Sequence, residues 1–291
     1  MRAVKLYSTG DIRTVDVDVP SPAKNEILIK VEAAGICGTD RHLYHGEFPS
    51  VPEKILGHEF SGIVVDSGET DIAEGARVTC DPNTWCGACS QCQRGRVNLC
   101  INNLATGIHR DGGFAEFCVF PASKAVVLPD KINPLYGAFC EPLACTLHGM
   151  DMGAASEGET VLVIGGGVIG LMAVQLAKLA GAEVLLLTRS PEKQALGLNI
   201  GADYAVSTES EVKNIWSEGA DLVVECAGVS ATVTLSHKLT RSGGRVVFGS
   251  DGSYIEDATG QEHIALEQQG GLFMIKMWVP RDQSSHFRGQ A

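Results

Sequence analysis

Four cysteines in one short window, Cys86-x2-Cys89-x2-Cys92-x7-Cys100, constrain this chain more than any other feature. Thiolates at that spacing can close a tetrahedron around zinc, and Gly87 and Gly95 permit the tight turns that such a knot needs. An iron–sulfur cluster takes the same ligand type, and disulfides or coincidence are the bland alternatives. The N-terminal MRAVKLYSTG has no apolar signal-peptide core, so the expectation is a cytoplasmic, reducing setting. In that setting clustered cysteines bind metal more often than they pair.

A chain of 291 residues is longer than one hydrophobic core favours, which predicts two domains. With 44% hydrophobic and 20% charged residues, disorder, collagen and coiled coil are excluded. The net charge of −12, with no basic run, argues against nucleic acid or an anionic membrane as a partner. The longest apolar stretch, Val161 to Val174, holds four glycines and is too short to span a bilayer.

Texture divides the chain near residue 150. Short β-like runs fill residues 1–150: Glu26–Glu32, Gly62–Val65 and Phe114–Phe120, separated by turn residues. They predict an irregular, mostly antiparallel β domain, with the cysteine lobe at about 80–101. After His148 apolar strands alternate with helices. Strands are expected at Glu159–Ile164, Glu183–Leu187, Tyr204–Val206, Asp221–Glu225 and Gly244–Phe248. Helices are expected at Leu171–Leu179 and at Pro191–Leu198, which starts near Ser190. Apolar runs of this kind predict a parallel sheet covered on both faces over 151–280. Gly271–Val279 could add a strand, and 281–291 reads as a tail.

Two further sets of residues carry chemistry. Cys37, His58, Glu59 and Glu141 are dispersed, and each is weak alone. Together one thiolate, one imidazole and one or two carboxylates make a mixed set with room for substrate, as in a catalytic zinc site. Gly165-Gly166-Gly167-Val168-Ile169-Gly170 follows the strand VLVI and opens a helix, the context required of a dinucleotide loop. Gly165 allows the turn, Gly167 lets backbone approach a pyrophosphate, and Gly170 lets helix and strand pack closely. The tip of the next strand reads Leu187-Thr188-Arg189-Ser190, with no acid to bind a ribose 2′-hydroxyl. Arg189 is placed to pair with a 2′-phosphate, which favours NADP over NAD.

In this order the GICGTD, GHE, four-cysteine, DGGFAEF, CEPLAC and VIGGGVIG blocks resemble the zinc-containing medium-chain dehydrogenase/reductase family, on the side of sorbitol (polyol) and threonine dehydrogenases. The resemblance covers residues 1 to about 250. It implies an α/β protein: a GroES-like β-barrel catalytic domain followed by a Rossmann doubly wound parallel sheet. It implies catalytic zinc on Cys37, His58 and Glu59, with Glu141 direct or through water. It implies structural zinc on Cys86, Cys89, Cys92 and Cys100. Hydride would pass between a secondary alcohol or polyol and NAD(P), with zinc acidifying the substrate hydroxyl. Thr39 matches the hydroxyl that takes the proton, and His42 stands where some relatives relay it to solvent. Tyr44 and His45 are weak pocket candidates. His109 and His148 read as structural. A dimer or tetramer is usual in the family.

The resemblance ends near Gly249, after which SDGSYIEDATGQEHIALEQQGG does not align. The expectation is a truncated or divergent C-terminus, with reduced stability or altered oligomerisation. Competing readings are a carbonyl reductase working in reverse with NADPH, and an inactive chain that binds NADP and zinc.

Overall fold

Strands form in the first half because side chains alternate between a covered and an open face, as along Phe117–Pro121. The computed structural model describes residues 1–249, 255–256, 262–263 and 275–278. The chain divides into two units, the first built on Met1–Pro142 and the second running from Leu143 onward. The division falls within the helix Cys140–Gly153.

The first unit is antiparallel β. A five-stranded sheet runs in the order Ala125–Val127, Arg77–Cys80, Glu59–Asp66, Glu26–Gly35, Phe117–Pro121. A smaller sheet joins Asp11–Asp16, Arg2–Ser8 and Lys54–Ile55. The core under the larger sheet includes Ile27, Ile29, Phe60, Val78 and Phe120. Phe60 and Phe120 meet edge to face at 5.8 Å. The strand expected from Phe114 begins only at Phe117. Phe114 instead packs on the cluster of Leu43 and Leu56, and its N–H donates to Leu56 O.

The second unit is a six-stranded sheet in the order Tyr204–Val206, Glu183–Leu187, Thr160–Ile164, Ala220–Glu225, Thr240–Phe248, Ile275–Trp278. The first five strands are parallel, and Ile275–Trp278 is antiparallel to its neighbour. Successive residues of each central strand enter opposite cores. Val161, Val163, Val184, Leu186 and Val224 face one core; Leu162, Ile164, Leu185, Leu187 and Val223 face the other. The helix Val168–Leu179 covers the first with Ala173, Val174 and Ala177. Val212 of Glu209–Ile215 and Leu239 of Ser230–Leu239 cover the second. Burial on both faces makes this a doubly wound sheet. The strand order reverses between Thr160–Ile164 and Ala220–Glu225, the crevice where such sheets bind ligands.

Helix starts follow local chemistry. Ser190 Oγ accepts from Lys193 N–H, with Pro191 at the first position of Pro191–Asn199. The helix expected at Leu171 begins earlier, at Val168, because Gly167 already caps it in extended geometry. Within the region expected as a strand over Gly271–Val279, Ile275–Trp278 is a strand; the 281–291 tail lies outside the described residues. Among the described residues no helix is long and apolar enough to cross a membrane.

Candidate active site

Three side chains from two elements converge in the first unit. Cys37 immediately precedes the helix Gly38–His45, and its N–H donates to Asp40 Oδ2 at 2.8 Å, closing a capping box. His58 and Glu59 stand at the start of the strand Glu59–Asp66. The antiparallel register sets Glu59 opposite Gly35, two residues before Cys37. A Cβ at Gly35 would lie 2.3 Å from Glu59 Oε2, so the bare backbone there makes room for the carboxylate. One ligand atom each of Cys37, His58 and Glu59 lies within 4.8 Å of the others.

The electrostatics of this set suit a cation. Burial and then the Glu59 carboxylate push the Cys37 thiol far above its ordinary range, and Glu141 adds to this. Burial likewise raises Glu59, partly offset by His58. Two groups that must ionise to act as ligands are thus held back by burial, and Cys37 further by the carboxylate beside it, while Asp40 adds to the upward push on Glu59. A divalent ion among them removes both penalties, so the sulfur, nitrogen and oxygen donors fit zinc. Thr39 sits beside the set, with the Cys37 thiol 3.7 Å from its hydroxyl. Glu141, in the first turn of Cys140–Gly153, is near enough to act on Cys37 but is not one of the three donors within 4.8 Å.

The four cysteines form the second cluster. The short pairing of Asn83–Thr84 with Leu104–Ala105 closes the base of their loop. Their sulfurs lie within 4.8 Å of one another, and none of the ten cysteines is in a disulfide. Backbone N–H groups of Ala88 and Cys89 hold the Cys86 thiol down to about 6. That stabilises the thiolate, the form that binds metal. Lys124, buried, ties the lobe to the sheet: its Nζ is 2.6 Å from Asp81 Oδ2 and 3.0 Å from the centre of the Trp85 ring.

In the second unit the glycine loop leaves the strand Thr160–Ile164. Gly165 takes φ +107°, and the backbone of Cys226–Ala227 lies about 3.0 Å from where its Cβ would stand. A Cβ at Gly170 would meet Gly165 O at 1.9 Å. At Gly167 a Cβ would face open space, a cradle for a phosphate at the N-terminus of Val168–Leu179. Val168 is exposed there, and Ile169 follows it in the first turn. Thr188 lies half-buried beside Gly166, with Arg189 exposed after it.

Four residues escape the sequence reading. Asp40 is 4% exposed and its Oδ1 lies 4.0 Å from Nδ1 of His58, itself 6% exposed. At that separation the two are in electrostatic contact without a hydrogen bond, and both atoms are buried without a hydrogen-bond partner among the described residues. The capping-box spacing from Cys37 was the available signal for Asp40. Lys193 lays its stem against Gly166, with Cβ 3.0 Å from the place of a Gly166 Cβ. Glu225, fully buried, accepts from Ala227 N–H, Gly228 N–H and Thr232 Oγ1 and so fixes the loop beside Gly165. Glu47 pairs with His42 at 2.6 Å. Neither Lys193, Glu225 nor Glu47 has a motif to announce it. Of the weaker candidates, Tyr44 and His45 meet edge to face at 5.1 Å, and His109 Nδ1 accepts from Ala105 N–H. His148, expected to be structural, is exposed on its helix.

Comparison with known proteins agrees with both units. The alcohol dehydrogenase GroES-like domain matches residues 23–130, and the zinc-binding dehydrogenase family matches residues 168–263. The chain is 36% identical over 250 residues to sorbitol dehydrogenase of Halalkalibacterium halodurans, covering 82% of this chain and 73% of that one. It is 38% identical over 243 residues to L-threonine 3-dehydrogenase of Bacillus licheniformis, covering 79% and 70%. A zinc-binding dehydrogenase of Sinorhizobium meliloti, solved bound to NADP, superposes with a TM-score of 0.82 at 52% identity, over 85% of this chain and 75% of that one. Galactitol-1-phosphate dehydrogenase of Escherichia coli gives 0.78 at 30% identity, over 85% and 75%. The order of the donors, the glycine turn and the two folds thus have one common source: the chain belongs to the zinc-containing medium-chain dehydrogenase/reductase family.

Proposed function

We propose that the chain is a zinc-dependent dehydrogenase that oxidises a secondary alcohol or polyol with NADP. The observation that carries this is the convergence of Cys37, His58 and Glu59 within 4.8 Å. These three hold the catalytic zinc, with Glu141 alongside, and Cys86, Cys89, Cys92 and Cys100 hold a second, structural one. Zinc, when bound, supplies a Lewis acid that lowers the pKa of the substrate hydroxyl. Thr39 takes the hydroxyl proton and His42 passes it outward.

The cofactor reading rests on the second unit. Gly165, Gly167, Val168, Ile169 and Gly170 bring backbone N–H groups to the pyrophosphate. Thr188 and Arg189 face the adenosine ribose, and Lys193 adds a cation beside them. The absence of an acid at this strand tip supports NADP. Polyols with a vicinal diol are the proposed substrate class, supported by the sorbitol dehydrogenase and D-arabinitol dehydrogenase relatives. A dimer or tetramer and a cytoplasmic location belong to the same proposal.

The test is nicotinamide reduction by the zinc-loaded protein across polyols and secondary alcohols, with NADP and NAD in parallel and zinc counted by mass spectrometry. Turnover with NADP preferred and two zinc ions per chain is expected. Metal-loaded protein without turnover, in either direction and with either cofactor, overturns the activity. A preference for NAD overturns the Arg189 reading alone.

A further inference from the structure

One block of the sequence, DGGFAEF at 111–117, carries neither a zinc ligand nor a phosphate cradle. Its first four residues are built onto the segment that leads into His58. Ile55 and Leu56 are buried there, and Gly57 follows them directly before His58. Asp111 Oδ1 accepts from Ile55 N–H at 3.0 Å. Gly112 N–H donates to Ile55 O, Gly113 N–H to Gly57 O and Phe114 N–H to Leu56 O, each at 2.8 Å. Leu56 N–H donates the other way, to Val4 O at 3.2 Å. All but the last of these bonds come from 111–114, so that turn sets the path of the chain into His58.

Close packing completes the fit. Gly57 takes φ +93°, and the Phe114 ring occupies the space that a Cβ there would need. A Cβ at Gly112 would strike Gly57 O, and one at Gly107 would lie 2.7 Å from it. Three stretches of backbone therefore meet at Gly57 with no side chain between them. Phe114 also packs on the cluster of Leu6, Leu43 and Leu56. Leu43 belongs to the helix Gly38–His45, which Cys37 precedes. The cluster thus joins the helix behind one donor to the segment before another. A metal site binds well when its ligands are held in place before the ion arrives. We propose that Asp111 and Phe114 are positioning residues for the catalytic zinc: they hold the backbone at 55–57 and, through it, keep His58 and Glu59 in reach of Cys37. The inference rests on the ligand set proposed above.

The experiment uses the zinc-loaded full chain. Chelator competition reads the two zinc affinities separately. Exchange of the ion at Cys37, His58 and Glu59 for cobalt reports ligand geometry through its d–d absorption, and Cys37→Ser identifies those bands. In Phe114→Ala the affinity at this site falls about tenfold and the cobalt bands shift, while the lobe's affinity stays within about twofold. Phe114→Leu, which keeps part of the apolar contact, falls between this variant and the parent. Asp111→Ala shows a smaller loss in the same direction, and Asp111→Asn, whose amide oxygen can accept the same N–H, stays at the parent value. A merely structural role would lower the thermal midpoint and leave both affinities and the cobalt bands as in the parent; that result overturns the proposal, as does an equal loss at both zinc sites. If the parent holds zinc at the lobe alone, with no cobalt bands that Cys37→Ser abolishes, the ligand set itself fails, and the proposal with it.

Discussion

The two donor clusters of the first unit are built in opposite ways. The four cysteines lie on one continuous loop, with Cys86 exposed and its thiol held down to about 6 by neighbouring backbone N–H groups. Cys37, His58 and Glu59 come from two segments, and burial pushes the Cys37 thiol up instead of down. Within the lobe backbone N–H groups hold the Cys86 and Cys89 thiols down, while burial and the neighbouring thiols push Cys92 up to about 12, so two thiolates are prepared by the short loop itself. The second cluster is assembled by the register of a sheet and stores electrostatic tension that a cation relieves. The difference suits a permanent structural ion in one place and a working ion in the other.

The largest expected effect breaks the comparison most directly. Cys37→Ser should lower kcat by at least about 1000-fold while leaving NADP binding, read by calorimetry, within about twofold. Cys89→Ser should instead act on the fold, because a structural zinc contributes folding free energy. A drop of about 8 °C or more in the thermal midpoint is expected for it, against less than about 2 °C for Cys37→Ser. If the two variants behave alike, the clusters do not differ in role.

Gly35→Ala sharpens the dispersed site. Its Cβ would stand 2.3 Å from Glu59 Oε2, so the carboxylate must move. Zinc affinity there should fall about tenfold, the scale of a displaced support to a metal ligand, with the lobe's zinc retained. Competition with a chromophoric chelator reads both ions separately. Lys124→Met tests the link between lobe and sheet. It removes the buried partner of Asp81 and of the Trp85 ring, and should cost about 1–2 kcal/mol, seen as a lower urea midpoint with kcat unchanged.

The smallest effect is a control in the second unit. Burial raises the Asp221 carboxyl, but hydrogen bonds from Thr160 N–H, Thr160 Oγ1 and Arg241 outweigh it and leave it below the usual range. A depressed carboxyl stabilises the fold above its unfolded pKa, and that stability is lost as pH falls through the folded value. Asp221→Asn should therefore lose stability at neutral pH and show a shallower decline below about pH 4. An unchanged acid limb in thermal melts would remove Asp221 from the linkage.

Much of this was legible in the chain itself. Spacing announced the lobe, because four ligands within one loop need no distant partner. The apolar runs announced a parallel sheet, since strands buried on both faces need no polar alternation. Val168–Leu179 and Pro191–Asn199 were read in place to within a few residues, because glycines and a Ser-Pro start punctuate them. Phe114 was misplaced because an apolar residue reads the same whether it pairs in a sheet or packs on Leu43 and Leu56.

The donor types, the glycine turn and the two-part architecture are readable along the chain, because all of them depend on local chemistry and short spacing. Which dispersed groups meet depends on strand register, helix closure and packing. The register that sets Gly35 against Glu59 brings a thiol, an imidazole and a carboxylate within 4.8 Å. The left-handed cap at Gly46 delivers Glu47 to His42. The packing of Lys193 on Gly166 lays its aliphatic stem against the glycine loop. Such contacts join residues through strand pairing, helix closure and side-chain packing, and no pattern along one chain records distances across it.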